Sequence, residues 1–125
     1  MKSTIKENNV VKEVNELTEA FVLWKNTSRA GNEYLEGFTS DKLGKVNLVG
    51  YFNTNKKNAK EPDIRIYTLD SENKQDKEIA DLWENISHNE KRYLTGTTDE
   101  KERLVGFYNN DKDHQDRPYI RTYFN

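Results

Sequence analysis

Two halves of this chain repeat each other. Leu23-Trp24-Lys25-Asn26-Thr27-Ser28 followed by Tyr34-Leu35-Glu36-Gly37 returns as Leu82-Trp83-Glu84-Asn85-Ile86-Ser87 followed by Tyr93-Leu94-Thr95-Gly96. Leu48-Val49-Gly50-Tyr51-Phe52-Asn53 returns as Leu104-Val105-Gly106-Phe107-Tyr108-Asn109. Pro62-Asp63-Ile64-Arg65-Ile66-Tyr67 returns as Pro118-Tyr119-Ile120-Arg121-Thr122-Tyr123. The offset is 59 for the first block and 56 for the others, so one three-residue deletion in the intervening hairpin accounts for the whole alignment. Self-similarity on this scale means that one supersecondary unit was duplicated.

Each unit reads as four strands: Phe21–Asn26, Glu33–Thr39, Lys45–Asn53 and Pro62–Leu69, with the second copy running from Ala80 to Asn125. Alternation at period two is plain in Val46, Leu48, Gly50 and Phe52 against Asn47, Val49 and Tyr51, the pattern of a half-buried strand. Pro62 and Pro118 open the last strand of each copy, where a missing N–H costs least. Short connections make neighbouring strands antiparallel. A lone four-stranded sheet with one apolar face is barely stable. The two meanders are therefore expected to bury those faces on each other, as a mainly β sandwich or semi-open barrel with an internal pseudo-twofold.

The expected organisation has four parts. Residues 1–20 form an extension, residues 21–70 the first repeat, residues 71–79 a charged linker and residues 80–125 the second repeat. In the extension, Val10, Val11, Val14, Leu17 and Phe21 recur at helical spacing, which predicts a short helix over Val10–Ala20. The polar stretch Asp70–Asp81 reads as a linker with one helical turn at Asp76–Ala80.

Only 33% of the 125 residues are apolar and 34% are charged, but seven Tyr, five Phe and two Trp supply large rings for a small core. Trp24/Trp83, Leu23/Leu82, Leu48/Leu104, Val49/Val105 and Ile64/Ile120 are read as that core. Gly37/Gly96 and Gly50/Gly106 mark bulges or places where a ring meets bare backbone. Asn26/Asn85 and Ser28/Ser87 are expected to hold the first turn of each copy. The chain has no cysteine, which excludes disulfides and thiolate metal sites and fits a cytoplasmic protein. No apolar run approaches the roughly 18 residues of a membrane span, and Met1–Asn9 lacks the apolar segment of a signal peptide.

Catalytic motifs are missing. His88 and His114 have no counterpart in the other copy and fall in turns. Asp111, Asp113 and Asp116 lack the central glycine and closing glutamate of a calcium loop. No catalytic residue, metal ligand or cofactor is expected. Binding residues are sought instead on strand faces. Arg65 and Arg121 sit mid-strand beside Tyr67 and Tyr123. Arginine next to tyrosine can stack bases and neutralise phosphate, or it can cover a ring or pair with a carboxylate. Tyr51 and the basic loop residues Lys56, Lys57 and Lys60 complete the candidate set of Tyr51, Lys56, Lys57, Lys60, Arg65, Tyr67, Arg121 and Tyr123.

The repeated Leu-Trp-x-Asn-x-Ser, Tyr-Leu-x-Gly and Pro-Asp-Ile-Arg-Ile-Tyr strings resemble small uncharacterised β proteins of bacteriophages and conjugative elements. In those, a tryptophan strand, a Lys/Ser/Gly/Asn turn and a terminal Pro-Asp-Tyr/Phe-Arg strand recur, sometimes in tandem. The resemblance covers Leu23–Tyr67 and, more loosely, Leu82–Tyr123, where Tyr119 replaces Asp63 and Asn89-Glu90 replaces Gly31-Asn32. It implies a mobile-element protein with no assigned reaction, acting in the cytoplasm of the bacterial host.

The loop charges decide between two kinds of partner. Asn53–Lys60 is basic while Asn109–Arg117 is acidic. A chain gripping one phosphate backbone with both halves needs both loops positive. The expected function is therefore a non-enzymatic protein–protein interaction, with a host or phage protein as partner and inhibition of a host factor as its effect. Single-stranded nucleic-acid binding is the alternative, and no membrane partner is expected.

Overall fold

The computed structural model describes residues 17–40, 44–109 and 116–125. Among them the regular structure is entirely β: β1 (Thr18–Thr27), β2 (Glu33–Thr39), β3 (Asn47–Phe52), β4 (Ile64–Leu69), β5 (Gln75–Ile86), β6 (Arg92–Thr98), β7 (Arg103–Tyr108) and β8 (Ile120–Phe124). Each strand pairs antiparallel with the next, and β8 returns to β1, so the sheet closes into an up-and-down barrel.

Closure replaces the expected sandwich or semi-open barrel, and its cause is the segment read as a linker. Asp70 caps a tight turn, its carboxylate accepting from the N–H groups of Glu72 and Lys74 at 2.9 Å. Gln75 then starts β5, the longest strand among the described residues. Asp76–Ala80 is thus strand rather than a helical turn. Its charged side chains suit an outer face, and pairing with β4 spares both sheets an exposed edge. The same occurs at the other seam. Thr18–Ala20, expected to finish a helix, begins β1 on β8. The rest of that proposed helix, residues 10–16, lies outside the described residues.

Inward positions follow the period-two pattern. Leu23, Leu35, Leu48, Ile64, Ile66, Leu82, Leu94, Leu104 and Ile120 are at most 1% exposed and fill the barrel. The tryptophans are not among them. Trp24 and Trp83 alternate with the inward leucines and lie half-buried on the outer surface, where Trp24 packs on Phe38 with ring centroids 5.5 Å apart. Val49 and Val105 also fall on the outward register, opposite Tyr67 and Tyr123, yet Val49 is buried as expected, at 5% exposed.

The two copies share their pairing registers, apart from a second irregularity between Tyr67 and Leu69 in the β4–β5 pairing. Leu23↔Gly37 matches Leu82↔Gly96, Leu35↔Gly50 matches Leu94↔Gly106, and Val49↔Tyr67 matches Val105↔Tyr123. The seams match too. Arg65↔Asp81 and Tyr67↔Glu78 correspond to Arg121↔Val22 and Tyr123↔Glu19, each with a bulge at Ile79 or Ala20. The barrel axis is therefore a pseudo-twofold. Gly37 and Gly96 stand where neighbouring backbone crowds in: a Cβ there would lie 1.8 Å from the Val22 carbonyl oxygen or 2.1 Å from that of Asp81. At Gly50 and Gly106 the space is taken by the aliphatic chains of Leu35 and Ile66, or Leu94 and Thr122, not by rings.

Ser28 and Ser87 do close the first turn of each copy, their hydroxyls accepting from the N–H groups of Asn32 and Lys91. Asn26 and Asn85 do not. They brace the outer face across the strands, Asn26 to Glu36 at 3.0 Å and Asn85 to Thr95 at 2.8 Å.

Candidate binding site

The bulge at Ile79 turns Glu78 toward β4 on the outer face of β3, β4 and β5. There Arg65 Nη1 lies 3.3 Å from Glu78 Oε2. Directly across from Arg65 on β3 is Tyr51, the most exposed ring of this face at 43%. Tyr51 and Tyr67 meet with centroids 6.0 Å apart, tilted by 56°. Three of the candidate residues, Tyr51, Arg65 and Tyr67, thus form one contiguous patch.

Its electrostatics are unusual. Arg65 faces two carboxylates, Glu78 and its cross-strand neighbour Asp81. The Asp81 Oδ1 atom is buried without a hydrogen-bond partner among the described residues. Burial, a hydrogen bond with Glu78 and that neighbour's charge push the Asp81 carboxyl up to about 7, with Arg65 opposing. Like charges this close resist joint ionisation, so the Glu78 carboxylate adds to burial in favouring the protonated Asp81 carboxyl. Burial first, then Glu78, also raises the Tyr67 phenol.

Arg121 and Tyr123 fall on the other side of the axis, in an equivalent patch. Arg121 Nη1 sits 3.1 Å from Glu19 Oε2, and Phe107 meets Tyr123 at 6.1 Å and 54°. The copies agree on arginine, carboxylate and paired rings. They differ where Phe107 replaces Tyr51 and Val22 replaces Asp81, so the second patch lacks both the hydroxyl and the additional acid. The eight candidates therefore do not form a single site.

The basic loop is partly neutralised. Lys56 Nζ lies 3.1 Å from Asp63 Oδ1. Lys57 and Lys60 are exposed, but their backbone is fixed: the Lys57 N–H donates to Glu61, and the Lys60 carbonyl accepts from Trp83 Nε1 at 3.2 Å. Of the acidic loop, residues 110–115, with His114, lie outside the described residues.

The two barrel ends differ. The end beneath these loops carries polar contacts among the described residues. Glu84 accepts from Arg92 Nε at 2.6 Å and from the Tyr108 hydroxyl at 3.2 Å, and Lys25 lies 4.5 Å over the Tyr119 ring. Hydrogen bonding to Glu84 raises the Arg92 pKa, and burial does the same to Tyr108. The opposite end opens into a cavity of about 290 Å³ lined by Phe21, Ile79 and Phe124.

Glu19, Glu78 and Asp81 were not legible as site residues, because they fell in a presumed helix and a presumed linker. The signal that could have found two of them is the offset of 59, which equates Glu19 with Glu78. Among the described residues, no group of three or more His, Cys, Asp or Glu side chains is placed to hold a metal ion, and no helix is long and apolar enough to cross a membrane. No protein-family model, curated protein or solved structure matches the chain.

Proposed function

We propose that this is a non-enzymatic binding protein of a phage or mobile element. It acts in the host cytoplasm by contacting a protein partner through the Tyr51, Arg65 and Tyr67 face, with inhibition of a host factor as its effect. The observation that carries this reading is the neutralisation of the cations a phosphate backbone would need. Arg65 is tied to Glu78 and Lys56 to Asp63, while the Tyr51 ring beside them stays exposed. Exposed aromatics around a satisfied arginine are the composition of an interface centre, where Tyr and Arg are enriched. A nucleic-acid groove instead presents unpaired cations along its whole length.

Capture from bacterial lysate with the tagged chain, with and without nuclease, tests the proposal. A nuclease-resistant partner lost on Tyr51→Ala and Tyr67→Ala supports it. In parallel, labelled single-stranded oligonucleotides are titrated at two salt concentrations. Tight binding that collapses with salt defeats the protein-partner reading and installs the nucleic-acid one.

A further inference from the structure

The open end of the barrel is a second site, with chemistry of its own. Barrel mouths are a preferred place for small ligands, and this one lies on the pseudo-twofold axis. Its cavity of about 290 Å³ takes a single ring with a short chain rather than a nucleotide or a peptide. Phe21, Ile79 and Phe124 give it an apolar lining, which Thr39, Thr68 and Thr98 share.

Internal symmetry shows where the mouth has become one-sided. Ala20 and Ile79 are equivalent bulge residues, and Thr39 is equivalent to Thr98. The rim breaks the rule. Val46, which is 37% exposed, corresponds to Glu102; Ser40 corresponds to Asp99; Thr18 corresponds to Lys77. Among the described residues that line the mouth, the first copy contributes Val46, Thr39 and Thr68 to the rim, and the second contributes Lys77, Asp99, Glu100 and Glu102. Lys77 Nζ is engaged by Asp99 Oδ2 at 2.9 Å. Glu100 and Glu102 are exposed and form no ion pair among the described residues. Apolar lining and surplus negative rim together define the complement.

We propose that this mouth binds a small amphipathic cation, an aryl or alkyl amine. Its hydrocarbon part lies against Phe21, Ile79 and Phe124, and its ammonium group faces Glu100 and Glu102. A carboxylate of the same shape meets like charge at the rim. A neutral hydrocarbon of that shape forgoes the attraction between unlike charges.

The full-length chain is titrated with 2-phenylethylamine, ethylbenzene and 3-phenylpropionate, followed by backbone amide NMR. The amine should shift the Ile79, Thr98, Asp99 and Phe124 signals and bind at least about tenfold tighter than 3-phenylpropionate. The exposed double substitution Glu100→Lys with Glu102→Lys should reverse that preference without changing the melting temperature. Ile79→Trp should fill the cavity and abolish amine binding; if that variant does not fold, the charge-reversal variant alone decides. Tyr51→Ala should leave amine binding intact, which separates this site from the protein-binding face. Equal affinity for amine and acid, perturbations centred away from the mouth, or no response to the amine overturns the proposal.

Discussion

The indole of Trp83 donates to the backbone carbonyl of Lys60 at 3.2 Å, tying a strand of the second copy to the long loop of the first. Trp24 makes the reciprocal bond to Asp116, also at 3.2 Å. Each repeat therefore secures the β3–β4 type loop of the other. Replacing either tryptophan by phenylalanine keeps a ring but orphans a carbonyl near the surface. Each change should cost about 1 kcal/mol, and the double change about the sum. Urea denaturation of the three variants checks this; a much larger loss at one position would show that the loops are not held equivalently.

Substitutions at the glycines should separate into two classes. Alanine at Gly37 or Gly96 drives a Cβ into a carbonyl of the neighbouring strand, and backbone cannot step aside. Those variants should lose roughly 3 kcal/mol or fail to fold. Alanine at Gly50 first meets the Ile66 Cδ1 at 2.8 Å, the far end of a flexible chain, and at Gly106 the Thr122 Cγ2 at 3.1 Å. These should cost about 1 kcal/mol. Comparable losses at all four positions would contradict the assignment.

Asp81 makes stability depend on pH in an uncommon direction. Its carboxyl rises from 3.8 to about 7 on folding. Between those values the folded state binds the extra proton, so stability falls as pH increases through the window and is best at its acid end. Asp81 is only partly buried, so solvent screening reduces the effect to on the order of 1 kcal/mol. Asp81→Asn should flatten this slope when denaturation is followed from acid to neutral pH. An unchanged slope would remove Asp81 as its source.

At the barrel end beneath the long loops, Lys25–Glu33 and Glu84–Arg92 occupy equivalent places with opposite polarity. Glu84→Lys should cost about 1 kcal/mol or more, since it sets two cations together and deprives the Tyr108 hydroxyl of its acceptor. Adding Arg92→Glu should recover the ion-pair share, leaving the Tyr108 share lost. A double-mutant cycle with no coupling between positions 84 and 92 would count against the pair.

The internal alignment carried most of the fold. It predicted eight strands, antiparallel neighbours and an internal twofold, because alternation in stretches such as Leu48–Phe52 is a local property. Closure was not legible, because it depends on what Gln75–Asp81 does once β4 is beside it. That stretch is too polar to read as a strand in isolation. Here pairing outweighs propensity, as strand context often does. The tryptophans misled for a related reason. Size and repetition marked them as core, but their register places them outward, where an indole N–H can reach a carbonyl. For the site, Arg65 with Tyr67 was visible as a neighbouring pair along one strand. Glu78 was not, because its approach requires the bulge at Ile79.

Matching registers across the Ile79 and Ala20 bulges of the two seams carry a historical implication. A single four-stranded gene product with the β4 and β1 edges seen here would find its complement in another molecule of itself, and two such molecules would close the same ring. The present chain is then a fused homodimer. Fusion released it from the rule that whatever changes on one side must change on the other. Asp81 without a matching acid, and a mouth where Val46 of one copy stands in the place of Glu102 of the other, are differences that only a covalently joined pair could acquire.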